Sequence, residues 1–212
     1  MPSAGGPGLL VAVHYRTNLT MRQPAPLFGC SPASVHRVIQ RPRPLLAIEP
    51  ATRPADAMDR LWIVDGTLIP VRDRKTGASL RNYQFSANAQ VIIDADTKLV
   101  IAGARLAPGT TAYAKAWRDS GLSAACEDVT VPTEGAYIDT GLVVPHRKRP
   151  GRALLPGEGE DNAEHRRVWA RVEHAVACMK HFKILRDCRQ RGVGLHHAVQ
   201  AVAHLHNLAL AT

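Results

Sequence analysis

Three carboxylates stand out by the company they keep. Asp65 follows the apolar run Leu61, Trp62, Ile63, Val64 and precedes Gly66-Thr67, and Glu134 follows the run from Val129 to Thr133 and precedes Gly135. An acid beside a glycine just past a short apolar run reads as a strand end, where open α/β sheets place their chemistry. Glu173 sits in a segment of helical period whose expected buried stripe is Val168, Val172, Ala175, Val176, Met179 and Phe182. At about 100° per residue it falls beside that stripe, with the small residues Ala170 and Ala177 on either side. Two strand-end acids and one helix acid that converge would offer hard oxygen ligands to divalent cations. A pair of such ions activates water and stabilises the leaving oxygen in phosphoryl transfer. The expectation is that Asp65, Glu134 and Glu173 meet at one edge of a mixed sheet; for each acid alone, a solvated surface carboxylate is the competing reading.

Cations surround these acids in sequence. The 212 residues contain 27 Lys+Arg against 18 Asp+Glu, a net charge of +9. Most of the excess lies between Leu142 and Arg191, with 12 basic and 6 acidic residues. Such asymmetry makes a basic face, which suits the phosphates of nucleic acid, with a merely solvated basic surface as the alternative. Arg147, Lys148, Arg149, Arg166, Arg167, Lys180 and Lys183 are the candidate backbone contacts in this stretch.

The elements that must position these residues follow from period and punctuation. Residues 1–8 are small and turn-prone and are expected to be disordered. A helix is expected over Leu9 to Leu19, then a second with Ser31 as N-cap and Pro32 at its first position. In that second helix Val35, Val38 and Ile39 share one face, and His36, Arg37 and Gln40 face outward. This is the arrangement of a helix-turn-helix, with Arg37 placed to meet DNA, although Pro24 and Pro26 stiffen the connection and a helical lead-in packed on the main domain is the other reading. Residues 41–60, with four prolines, read as linker. Short strands are expected at Leu61 to Val64, Leu68 to Val71, Ala89 to Ile93, Leu99 to Ala104, Val129 to Thr133 and Leu142 to Val144. Helices are expected over Ala112 to Ser120, from Asp161 or Asn162 to Leu185, and over His196 to Leu210. The organisation is a helix-turn-helix-like segment at 1–47, a linker at 48–60 and an α/β domain at 61–210, its sheet flanked by helices on both faces. Trp169 and Phe182 are expected to be buried against that sheet.

Several chemistries are excluded. Four cysteines without a Cys-x-x-Cys pair suggest neither a disulfide framework nor a zinc site, and a reducing cytoplasm is the simplest compartment. The apolar patch Leu9 to Val13 has no preceding cation and is followed by Arg16, which argues against a signal peptide or membrane span. Gly192 and Gly194 are not followed by Gly-Lys-Ser/Thr, so no phosphate loop and no organic cofactor is expected. His196, His197, His204 and His206 read as surface or helix-packing residues.

The chain also resembles a known family. Its runs Trp62 to Pro70, Asn82-Tyr83, Val91 to Thr97, Lys115-Ala116-Trp117, Thr140 to Arg147, Arg171 to Ala175 with Met179-Lys180, Lys183 to Arg189, and Leu205 to Leu208 are similar to those of bacterial insertion-sequence transposases with a DDE-type endonuclease domain. The likeness spans about residues 9–210. It implies a ribonuclease H-like fold, two divalent ions (Mg²⁺ or Mn²⁺), and the cutting and rejoining of double-stranded DNA at the ends of a mobile element, with a homodimer as an open assembly. Asp65 matches the first acid of the family triad, Glu173 the third, and Glu134 stands where the family has its second Asp. The family usually reads Asp-Gly-Gly-Tyr there, and this chain reads Glu134-Gly135-Ala136-Tyr137. The segment Pro108 to Tyr113 also lacks an acid common in relatives, and the chain starts where relatives continue upstream; the resemblance therefore implies an amino-terminally shortened copy. Two functions follow: a metal-dependent DNA strand transferase or endonuclease, and a DNA-binding remnant without chemistry.

Overall fold

The computed structural model describes residues 6–41, 46, 59–75, 77–79 and 85–211. The expected disorder of residues 1–5, most of the expected linker and the Asn82-Tyr83 motif lie outside the described residues. Gly6 to Gly8, expected to be disordered, instead form the first turn of helix α1 (Gly6–Thr17).

Helix α1 ends where Asn18 takes a left-handed φ of 53°. Pro24 and Pro26 do not disturb it, because they belong to a separate short helix, α2 (Pro24–Leu27), with Pro24 at its first position where no N–H is needed. Gly29, at φ 59°, turns the chain into α3 (Pro32–Gln40). Ser31 caps α3 by accepting the Ser34 N–H at 3.1 Å. Val35 and Ile39 are fully buried there, and with Leu10 and Ala25 they form a small core of their own.

The main sheet is built on β3 (Phe85–Asp94), buried along nearly its whole length. β1 (Trp62–Pro70) pairs antiparallel with it from Trp62↔Asp94 to Pro70↔Ser86. β2 (Ala78–Ser79), β4 (Val100–Gly103) and β5 (Ala107–Pro108) also pair antiparallel with β3. The parallel component comes from single bridges, Pro132↔Val143 and Val71↔Cys188. The first expected pair of strands is thus one strand that runs straight through Asp65-Gly66-Thr67, so Asp65 is interior to β1 rather than at its end. The expected strands at Val129 to Thr133 and Leu142 to Val144 reduce to the bridge, with Thr133 N–H to Val143 O at 2.9 Å and Val143 N–H to Val131 O at 3.0 Å. Pro132 and Pro145 lack the N–H groups that would extend that ladder.

Side chains alternate across β1, and both faces are covered. Trp62 and Val64 pack with Ile92, Trp117, Val131 and Tyr137 beneath α4 (Tyr113–Ser120), which stops at the left-handed Gly121 as expected. Ile63 and Ile69 face a larger core made with α5 (Pro156–Lys180), α6 (Val193–Leu210) and α1. Val172, Ala175, Val176 and Met179 of α5 are buried in it, whereas Val168, Trp169 and Phe182 are only half-buried at its margin, short of the expected burial. The result is a mixed sheet between helices, preceded by a small helical region, as a ribonuclease H-like architecture requires. None of the described helices is long and apolar enough to cross a membrane.

Candidate functional site

Asp65 occupies the face of β1 that lies under α5, opposite Val91 of β3. Its neighbour Gly66 faces the other way and has no room for a side chain: a Cβ there would sit inside the ring of Tyr113 and against the hydroxyl of Tyr137. The two tyrosine rings lie 5.8 Å apart at 32°. Glycine therefore lets β1 continue unbroken beneath an aromatic pair, where the sequence pattern suggested a turn.

The other edge of β1 is held by the segment that leads to Glu134. The Val64 N–H donates to Pro132 O at 3.3 Å, and the Thr133 hydroxyl donates to Val64 O at 2.9 Å. Glu134 then enters a turn closed by Tyr137 N–H to Glu134 O at 3.2 Å. From α5, His165 Nε2 donates to Thr133 O at 2.8 Å, so one helix supports both the segment carrying Glu134 and, two turns later, Glu173. Glu173 itself is exposed.

The electrostatics tie these groups together. Burial, then the charge of Glu134 and more weakly that of Glu173, push the Asp65 carboxyl up to about 6; the Gly66 N–H and the Lys180 ammonium oppose the shift without cancelling it. Burial also raises Glu134. Tyr113 is raised by burial and then by Glu134 and Asp65, and Tyr137 is raised by burial and by the same two acids. Asp65 thus feels the negative charge of Glu134 and Glu173 together with the positive charge of Lys180. Among the described residues, no three His, Cys, Asp or Glu side chains stand close enough to hold one ion.

The expected cationic residues fall in separate places. Lys180 lies within the field of Asp65. Arg147, Lys148 and Arg149 line a cleft of about 650 Å³ with His146, Arg152 and Glu158, where Arg152 pairs with Glu158 at 3.1 Å. Arg166 and Arg167 are exposed on α5, Arg167 pairing with Glu164 at 2.9 Å. Lys183 is exposed beyond the end of α5, and Arg37 is exposed on α3, donating to Ser34 Oγ at 3.2 Å.

Three residues at the site escaped the sequence reading as functional. His165 carried no signal beyond its spacing of four from Trp169, on which it stacks at 6.1 Å. Tyr113 is signalled only by the glycine it covers. Asn162, expected near a helix start, lies inside α5 because Pro156 opens the helix and Glu158 accepts the Leu155 N–H at 2.8 Å. Its buried amide instead clamps the His146 backbone, accepting from N–H at 2.8 Å and donating to O at 3.0 Å.

Comparison with known proteins shows the family of the chain. Residues 64–207 match the family described as DDE superfamily endonuclease, and residues 8–52 match the helix-turn-helix of DDE superfamily endonuclease. A relative named as a transposase for insertion sequence element IS112, from Streptomyces albus G, is 50% identical over 203 residues, covering 95% of this chain and 78% of that protein. A Mos1 transposase paired-end complex with left transposon end aligns over 92% of this chain and 75% of that one, at 14% identity and a TM-score of 0.28, too slight a likeness to bear on function.

Proposed function

Because the chain belongs to the DDE superfamily of endonucleases, we propose that it cuts double-stranded DNA and transfers the cut strand at the ends of a mobile element, with Asp65, Glu134 and Glu173 as its acids. The observation that carries this reading is the place of Asp65, half-buried on the face of β1 under α5, where burial and the charges of Glu134 and Glu173 push its carboxyl up. Negative charge among hard oxygens is the environment a divalent cation neutralises, and the donor set suits Mg²⁺ or Mn²⁺. Asp65, Glu134 and Glu173 would hold it, with exposed Glu173 moving inward, since the described acids are not close enough to share an ion. When bound, such ions supply Lewis-acid stabilisation and an activated nucleophile.

The protein's own part is to place the phosphate. Lys180, within the field of Asp65, would draw the backbone toward the acids. Arg147, Lys148 and Arg149 would hold phosphates along their cleft, with Arg166, Arg167 and Lys183 adding charge from α5 and beyond. Arg37, on the free face of α3, would meet DNA through the helix-turn-helix. The second reading, a DNA-binding remnant without chemistry, is favoured by one feature: Glu134 is a methylene longer than the Asp the family resemblance calls for.

Cleavage of a labelled duplex carrying candidate element ends separates the two. Activity is expected only with Mg²⁺ or Mn²⁺, stronger with Mn²⁺, which tolerates imperfect geometry. Glu134→Asp should raise the Mg²⁺ rate, and Asp65→Asn or Glu173→Gln should abolish it. Equal, metal-independent background in all of these proteins would leave only the binding reading.

A further inference from the structure

A second concave site lies at the far end of the sheet, away from the acids. A cleft of about 650 Å³ opens at the start of α6, and its lining includes Lys75, Arg105, Leu106, His196 and His197. No acid lines it. Lys75 and Arg105 are exposed, and their side chains make no ion pair with a described residue. The two histidine rings stand 6.0 Å apart. Burial, then the fields of His197 and Arg105, hold His196 below its ordinary value. The nearest carboxylate in sequence, Asp73, is already engaged by the Gly192 N–H at 2.9 Å and the Lys75 N–H at 3.0 Å. The basic cleft at Arg147 differs in this respect, since Glu158 there answers part of its charge.

Concave surfaces lined by one sign of charge concentrate the opposite ion. We propose that the Lys75, Arg105, His196 and His197 cleft is a second phosphate-binding site, and that it takes a backbone phosphate of the same DNA away from the cut. This rests on the DNA reading above. Both sites lie on the face covered by α5 and α6: Leu106 and Leu195 of the cleft pack in the same core as Ile63 and Ile69. Pro108, also in the lining, pairs with Ala87 of β3, four residues from Val91, the partner of Asp65. At roughly 3.4 Å per residue the two sites are separated along the strand by about 14 Å, or about four base-pair steps of a duplex laid beside it.

The test compares the full chain with its Lys75→Gln/Arg105→Gln double variant, both substitutions being at exposed positions. Anisotropy of a labelled duplex is followed across a salt series, and inorganic phosphate is titrated separately while the His196 and His197 ring signals are read by NMR. The expected result is a duplex affinity lowered about tenfold in the variant, with a salt slope shallower by about 2, and ring signals that move with phosphate in the wild type alone. Equal duplex binding by the two proteins overturns the assignment to DNA, even where phosphate still moves the rings, because the cleft then serves free phosphate. If the wild type binds no duplex, the DNA reading fails on its own account. The phosphate titration then decides the cleft: shifts uphold a phosphate site, and their absence removes it.

Discussion

Asp65 sits at a cost to the fold. Burial and the neighbouring acids push its carboxyl up to about 6 in the folded chain, against 3.8 for an unperturbed aspartate, so the folded state holds the extra proton between those values. A raised acid favours the fold fully below the unfolded value, and that advantage is lost as pH rises through the folded one. Asp65→Asn removes the titration, so it should match the wild type near pH 4 and exceed it at pH 7.5 by on the order of 2 to 3 kcal/mol, from about 1.36 kcal/mol per unit. Denaturant melts at the two pH values in metal-free buffer check this, and equal stability at pH 7.5 would refute it. Added Mg²⁺ should stabilise the wild type and leave Asp65→Asn unmoved. One residue along, Gly66→Ala would drive a methyl into Tyr113 and Tyr137 and should cost about 1 to 3 kcal/mol. Urea midpoints would measure it, and combining the change with Tyr113→Ala should recover part of the loss. Asp65 is legible in the sequence because an acid after four apolar residues is conspicuous. Its place inside a continuous strand is not, because Gly66-Thr67 has the composition of a turn and only the packed tyrosines explain why the ladder runs on.

Helix α5 does more than carry Glu173. Through Asn162 it grips the backbone of His146, next to the Arg147 to Arg149 run, and through His165 it holds the carbonyl that precedes Glu134. Asn162→Ala leaves two backbone groups without their partner and should cost about 2 to 3 kcal/mol. It should also weaken duplex binding, because the basic run loses its anchor; thermal melts and anisotropy test the two effects separately. Trp169 has a lesser role. Being half-buried and stacked on His165, it should cost about 1 to 2 kcal/mol on change to alanine, below the 3 to roughly 5 kcal/mol of a fully enclosed tryptophan. The apolar period of α5 is plain from Val172 to Met179, and that half of the helix is where the sequence pattern expects it. Its amino-terminal half, with Gly157, Gly159 and four acids, has no such period. It is helical because Pro156 and Glu158 start it and because Asn162 and His165 find partners far away in the chain, which no local pattern reveals.

At the scale of the whole molecule, α1 joins the two ends of the chain. Val11 and Tyr15 belong to the main core with Ile63, Val172 and Val202. Asn18 donates to Asp187 O at 2.7 Å, and the Arg16 guanidinium lies 5.3 Å from the centre of the Phe182 ring. On its other side α1 packs against α3 through Leu10. Tyr15→Ala should therefore destabilise the α/β part itself, by about 3 to 5 kcal/mol, although it lies outside that part in sequence. A single unfolding transition, shifted as a whole and seen alike by near-ultraviolet circular dichroism and by Trp117 fluorescence, would bear this out; a transition that leaves the Trp117 signal in place would contradict it. The helices that would read a DNA end are thus seated in the body that would cut it. Among relatives, a new reading head could not be acquired by simple exchange of the first forty or so residues, since the incoming piece would have to fill the hollow that Val11 and Tyr15 occupy. Target preference in such a lineage should change by substitution on the exposed side of α3, slowly and in place, and not by the shuffling of modules.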